Sequence, residues 1–195
     1  MNLRLTKLLI FGFVLEVVVL LLSYFESNGN TTLFFQAAAR LSGRVSLLFF
    51  IIYAFFATRF HKSDKPSVSE VKHILVSDFA IIHLIHWVLL VVAVKLSGFE
   101  LVPYRLAGGA LAYIMVVSMP YVYAKKLFSS VSTIVLEHIY ITYVWLIFLM
   151  TYVPRLQGKV PTATGSTTAY WILLGFVVLF MLWRMVVLML RKEKN

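Results

Sequence analysis

Six long apolar stretches constrain this chain more than any other feature of its sequence. About 20 consecutive apolar residues let a helix cross the ~30 Å hydrocarbon core of a bilayer. Of the 195 residues, 61% are hydrophobic and only 13% are charged, which is not the composition of a soluble domain. The windows lie at about 8–24, 33–58, 73–96, 104–124, 132–153 and 170–190. The sequence therefore predicts an all-α integral membrane protein, with residues 1–195 forming one transmembrane domain built as a six-transmembrane-helix bundle.

The basic residues predict how this bundle is oriented. They concentrate at the amino terminus, in the connections after the second and fourth windows, and in the carboxyl tail. Cytoplasmic connections of membrane proteins carry such an excess of lysine and arginine, so we predict an N-in/C-in topology with both termini in the cytoplasm. The same pattern accounts for most of the formal net charge of +10. We therefore expect the lipid bilayer as a partner and no nucleic acid.

Two histidines near the middle of apolar windows are the leading candidates for a functional site, because an ionisable side chain is costly inside a bilayer. At a rise of about 1.5 Å per residue, His83 lies roughly 16 Å beyond Lys72 and His138 roughly 18 Å beyond Lys126. The two imidazoles are therefore expected at similar depth on parallel helices. Two imidazoles facing each other across an apolar slot can hold a b-type haem. Since the chain has no cysteine, thioether attachment is excluded and the haem is expected to be non-covalent.

Further polar residues fit such a haem. His86, three residues after His83, lies on a neighbouring part of the same helix face and is the alternative iron ligand. Arg40 and Arg44 are four residues apart on the second helix and are candidate partners for the haem propionates. Gly43, beside them, would let a planar group approach the backbone closely.

Other charged residues in the windows are expected to pair with one another. Glu16 is a candidate partner for Arg44, in which case that arginine serves structure rather than a propionate. Asp78, Glu137 and Arg184 lie about six or seven residues inside the same boundary, which predicts a buried ion-pair network.

The remaining histidines and the nearby aromatic residues are assigned ordinary roles. His61 is interpreted as a solvated loop residue and His73 as an interfacial one. The aromatic residues are expected to pack in the core or face lipid, with the wall of a haem slot as the alternative. They are Phe79, Trp87, Tyr140, Tyr143 and Trp145.

The order of these features resembles that of a known family. The second helix carries a Gly-Arg pair and ends in a basic residue, the third carries a histidine, the fourth opens with Pro-Tyr, and the fifth carries Glu-His and then a tyrosine. These are Gly43-Arg44, Arg59, His83, Pro103-Tyr104, Glu137-His138 and Tyr140. From the second helix through the fifth, the chain resembles the ferric-reductase-like transmembrane domain family, and most closely its MsrQ (YedZ) branch of haem-binding membrane subunits.

What the resemblance implies is transmembrane electron transfer by a subunit of the bacterial inner (cell) membrane, rather than by a complete enzyme. It implies one haem b held by His83 and His138, with a quinone or flavin as a further possible cofactor. The donor would be a cytoplasmic flavin reductase or the quinone pool, and the acceptor a periplasmic or external reductase. Wider-family members often carry another histidine further along the fifth helix. Thr151 stands there in this chain and is not a standard haem ligand, so a second haem is not expected.

Two other functions stay open. One is a small proton- or cation-coupled membrane transporter, in which buried ionisable residues form the pathway. Those residues are His83, His86, Asp78, Glu137 and Glu16. Many transporters contain repeated halves, and this chain shows no clear repeat. The other is an assembly protein whose buried charges only specify helix packing.

Overall fold

The computed structural model describes residues 3–61, 63, 65–98, 103–125, 130–157 and 166–192, and almost all of these residues are α-helical. The helices in this described part are α1 (Leu3–Ser27), α2 (Thr31–Arg59), α3 (Pro66–Leu96), α4 (Pro103–Lys125), α5 (Ser130–Leu156) and α6 (Thr167–Lys192). All six are long and apolar enough to cross a membrane. The predicted all-α, six-helix, multi-pass membrane architecture is confirmed.

The helices begin and end where local chemistry favours it. Between α1 and α2 the backbone reverses through Asn28 and Gly29, whose φ angles are 47° and 81°. The side chain of Asn30 then caps α2 by accepting from the backbone N–H of Leu33 at 3.0 Å, as N-cap asparagines do. α3 begins at Pro66, seven residues before the predicted window. Its first turns are polar, so a search for apolar residues does not detect them.

α2 packs against α1, α3, α5 and α6, while α4 packs against α3 and α5. Helices α2 to α6 thus form a ring, and α1 lies outside it over α2 and α3. Within the described ranges, no Cα atom of α3 lies within 8 Å of a Cα atom of α5. These two helices run in the same direction and face each other across an interior filled by side chains. We call the end that holds the start of α1 the inner end and the opposite end the outer end, following the predicted topology.

One glycine explains how closely α1 packs. A Cβ atom at Gly12 would lie 2.8 Å from side-chain atoms of both Ile82 and Phe49. Both neighbours are almost fully buried, so only a residue without a side chain lets α1 approach this closely. Large apolar side chains cover the outward faces of the helices, where a bilayer provides their solvent.

Candidate functional site

The two leading histidines lie at different depths. The ring of His83 is 6.0 Å from the ring of Phe148 on α5, and Phe148 comes ten residues after His138. Ten residues of helix correspond to about 15 Å along the axis. The contacts with α2 show the same difference in depth. His83 contacts Ser46 near the middle of α2, whereas the ring of His138 lies beside that of His61, just beyond the inner end of α2. The expectation of similar depth was therefore wrong.

The error came from the residues used to mark the membrane boundary. Lys72 is only 6% exposed, and its Nζ lies 3.1 Å from Oε2 of Glu137, so it does not mark the edge of the apolar region. Lys126 falls outside the described residues, and α5 begins only at Ser130. His138 is therefore eight residues from the start of α5, rather than the twelve residues that separate it from Lys126.

His83 lies near the middle of the bundle among aromatic rings. Its ring stacks on Tyr113 at a centroid distance of 4.8 Å and lies 5.2 Å from Phe79. Its Nδ1 lies 2.6 Å from the hydroxyl of Ser46. The imidazole is thus buried, walled by rings and fixed in orientation by a single polar contact with α2.

His86 packs against α2 one turn further out. Its ring interacts with the backbone of Ala39 through a hydrogen bond, and its Nδ1 is buried without a partner. A Cβ atom at Gly43 would lie 3.0 Å from Cε1 of this ring. The planar group that approaches Gly43 closely is therefore the imidazole of His86.

The arginines on α2 have different surroundings. Nη2 of Arg40 lies 2.5 Å from both carboxylate oxygens of Glu26. Arg44 instead places its guanidinium carbon 5.9 Å from the ring centroid of Tyr170 on α6. Glu16, expected to pair with Arg44, accepts a hydrogen bond from Ser42 at 2.8 Å. The predicted Glu16–Arg44 pair does not form.

The inner half holds a second polar cluster, centred on Glu137. Its carboxylate meets Nζ of Lys72 and accepts from the hydroxyl of Tyr123. That hydroxyl lies 3.5 Å from the hydroxyl of Tyr53 on α2. Each of these side chains is buried, so α2, α3, α4 and α5 meet in one hydrogen-bonded group.

His138 belongs to a neighbouring group at the same end. Arg184 of α6 donates from Nη2 to Nδ1 of His138 at 2.5 Å and from Nη1 to Oγ1 of Thr58 at 2.6 Å. The ring of His61 lies 6.1 Å from that of His138, and His61 is 7% exposed. His61 lies in the turn after α2, as the sequence indicated, but the expectation that it is solvated was wrong. Its position just past the last apolar turn of α2 is the signal that the sequence offered.

The predicted network of Asp78, Glu137 and Arg184 forms only in part, because Arg184 acts electrostatically on Glu137 without an ion-pair contact. The charged partner of Glu137 is Lys72, while Arg184 forms its hydrogen bonds with Thr58 and His138. Asp78 is buried, and its Oδ2 has no hydrogen-bond partner. The lysine was overlooked because its place at the start of the apolar window suggested an exposed boundary residue.

The aromatic residues near the candidate site divide into two groups. Phe79 and Tyr140 are buried in the core, and the hydroxyl of Tyr140 has no partner. Tyr143 donates to the backbone carbonyl of Gly108 at 3.0 Å and Trp145 to that of Val177 at 2.9 Å, while Trp87 is exposed. Only the first group faces the interior between α3 and α5.

The fit of a haem differs between the two imidazoles. A haem iron binds Nε2 when Nδ1–H donates to a neighbouring acceptor, and the Ser46 hydroxyl can accept from His83 in this way. Arg184 can only donate, so Nδ1 of His138 accepts and the proton of the neutral ring lies on Nε2. His83 thus fits an iron ligand, whereas one iron shared by His83 and His138 does not fit this arrangement. The described side chains also form no group of three or more histidines and carboxylates suited to a metal ion.

Comparisons with known proteins found no matching family model, no similar curated protein and no similar solved structure.

Proposed function

We propose that this chain is a membrane subunit that carries electrons across the bilayer through one non-covalently bound haem b. The observation that carries the proposal is the surroundings of His83. The imidazole is buried, and its Nδ1 lies within hydrogen-bond distance of the Ser46 hydroxyl, at 2.6 Å. The rings of Tyr113, Phe79 and Phe148 lie around it. An apolar slot with an oriented histidine is what a b-type haem requires. Among the described residues, α3 and α5 meet across the interior through side chains rather than through backbone contacts.

The residue roles follow from these contacts. His83 supplies the iron ligand, the Ser46 hydroxyl hydrogen-bonds to its Nδ1 and orients the ring, and the surrounding rings exclude water. When bound, the haem supplies a centre that accepts and gives up one electron. Arg44, in the outer half, is a candidate contact for a propionate. Arg40 already has Glu26 as its partner, so we assign it to structure.

The partners are proposed on the family resemblance. Electrons would enter from a cytoplasmic flavin reductase or the quinone pool and leave to a periplasmic or external reductase. The membrane would then be the bacterial inner membrane, and the chain would act as an electron-transfer subunit of a larger system.

The test is a visible spectrum of the detergent-purified protein from haem-replete cells, oxidised and then reduced with dithionite. A Soret band that shifts on reduction is expected, and its absence would overturn the proposal. We expect His83→Ala to lose the haem while His138→Ala and His86→Ala retain it. Loss from both His83→Ala and His138→Ala, with a low-spin spectrum in the parent protein, would instead support the bis-histidine site predicted from the sequence.

A second candidate function is proton movement, and the inner cluster is the observation that favours it. Glu137, Tyr123 and Tyr53 form a buried line of exchangeable groups. The ring centroid of Tyr140 lies 5.8 Å from that of Tyr53. The hydroxyl of Tyr140 is buried and has no hydrogen-bond partner. Buried ionisable groups mark proton relays in membranes. Proteoliposomes with an imposed potential test this function. Proton uptake that Tyr123→Phe abolishes would support it, and impermeable vesicles would overturn it.

A further inference from the structure

The outer end of the bundle holds two guanidinium groups without a carboxylate partner among the described residues. The contact of Arg44 is the ring of Tyr170, and its Nε is buried with no hydrogen-bond partner. Arg155, in the last turn of α5, donates from Nη1 to the backbone carbonyl of Thr151 at 2.5 Å. Neither contact neutralises a positive charge.

Tyr152 and Tyr170 join these two arginines into one site. Both guanidinium groups act electrostatically on Tyr152, whose ring lies 6.4 Å from that of Tyr170. We call Arg44, Arg155, Tyr152 and Tyr170 the outer recess. It brings together α2, α5 and α6, so residues far apart in the sequence place two cations beside two aromatic side chains.

The helix ends place the recess in the outer part of the bundle. α5 ends at Leu156 and α6 begins at Thr167, so Arg155 and Tyr170 each lie within one turn of a helix terminus. Arg44 and Arg155 are both half-buried. The recess therefore lies toward the end of α5 and the start of α6, on the side that faces the outer aqueous phase and the headgroup layer.

Arg40 is the comparison for Arg44, because it pairs with a carboxylate. It lies one helical turn from Arg44 on the same face of α2 and pairs with Glu26 at 2.5 Å. A half-buried cation near hydrocarbon is costly without a counter-ion. The fork of a guanidinium group matches the oxygens of a carboxylate or phosphate. Two such forks in one recess therefore favour an external oxyanion.

We propose that the outer recess binds an oxyanion, a carboxylate or phosphate group, through Arg44 and Arg155. Tyr152 and Tyr170 form the walls. A soluble anion and the phosphate of an anionic lipid share this chemistry. The site does not depend on the proposed electron transfer, although a propionate of a haem at His83 would be a third source of the same group.

The experiment compares Arg44→Gln and Arg155→Gln with the matched control Arg40→Gln. Binding is read from the melting temperature of the detergent-purified protein, titrated with inorganic phosphate against chloride at equal ionic strength. Phosphatidylglycerol is compared with phosphatidylcholine by native mass spectrometry. We expect binding of phosphate or phosphatidylglycerol to weaken at least about tenfold in either recess variant, and to stay unchanged in Arg40→Gln. Arg44→Lys and Arg155→Lys, which keep the charge, should bind with intermediate affinity if the recess variants are folded.

The outcomes separate the sources and the two proposals. A response to phosphate alone identifies a soluble anion, and a response only to phosphatidylglycerol identifies a lipid. If neither binds but haem content falls in both recess variants and not in Arg40→Gln, the oxyanion is a haem carboxylate. If phosphate and phosphatidylglycerol bind equally well to all three glutamine variants, the proposal that the outer recess binds an oxyanion is overturned. A protein that binds phosphate but shows no Soret band would overturn only the electron-transfer proposal.

Discussion

At the scale of single residues, the hydrogen-bond partner of an imidazole decides what the ring can do. The Ser46 hydroxyl at His83 can accept from Nδ1–H and leaves the lone pair of Nε2 for a metal. The Arg184 guanidinium at His138 can only donate, so that Nε2 keeps its proton. The sequence presents both histidines as equivalent residues in apolar windows, but their neighbours give them different chemistry.

Ser46→Ala tests this distinction. Loss of a side chain that orients a metal-ligating histidine typically weakens metal binding about 10- to 100-fold, so haem should dissociate correspondingly faster from this variant. Transfer of haem to apomyoglobin measures the rate. The matched control is Ser42→Ala, which removes an equally buried hydroxyl that donates to Glu16 instead. Equal haem loss in both variants would contradict the role given to Ser46.

Gly43→Ala tests the close approach of His86. The added methyl group would lie 3.0 Å from Cε1 of the ring, so the ring must move from its contact with Ala39. Overpacking of this kind costs about 1–3 kcal/mol, and we expect a lower melting temperature in detergent. Gly109→Ala on α4 is the control, because an added Cβ there meets nothing within 4 Å. A destabilised Gly109→Ala or an unchanged Gly43→Ala would contradict this account.

At the scale of helices, one buried ion pair connects α3 to α5, whose backbones do not touch. The 3.1 Å contact of Lys72 with Glu137 spans the ring interior near its inner end. A pair of this kind is costly to break, because removing one partner leaves a charge unpaired in a medium that cannot solvate it. The pair thus sets the distance between the two helices that carry the candidate histidines.

Glu137→Gln should destabilise the protein by about 3–5 kcal/mol, since Lys72 is left buried without its carboxylate. Unfolding in a titration with a denaturing detergent, followed by tryptophan fluorescence, measures the change. Lys72→Met combined with Glu137→Gln should recover much of the loss, and Glu70→Gln, at an exposed site on α3, should have little effect. No recovery in the double variant would contradict the pairing account.

At the scale of the whole molecule, the distribution of lysine and arginine predicts which end faces the cytoplasm. The α2–α3 connection belongs to the inner end and the α1–α2 connection to the outer end. The natural chain has no cysteine, so a single introduced thiol reports its own location.

Single cysteines in the two connections test the N-in/C-in prediction. A membrane-impermeant maleimide added to intact cells should label Asn28→Cys and leave Ser63→Cys unlabelled until the membrane is permeabilised. Both positions lie outside the helices, and Asn28 is exposed, so the reagent can reach a thiol at that position. The reverse labelling pattern would overturn the orientation and exchange the inner and outer ends throughout the molecule.

The sequence by itself determined the class of fold and the number of membrane spans, because apolar length is a local property that the bilayer thickness converts directly into helices. It also located the buried ionisable residues, including His83, His138 and Glu137. Only the tertiary structure decided their partners. Lys72 meets Glu137 because α3 and α5 have a particular axial register, and that register places His83 about 15 Å from the level of His138. That register is fixed by contacts such as those of Phe50 with Phe79 and Phe148, which join residues distant in sequence and leave no mark in any single window.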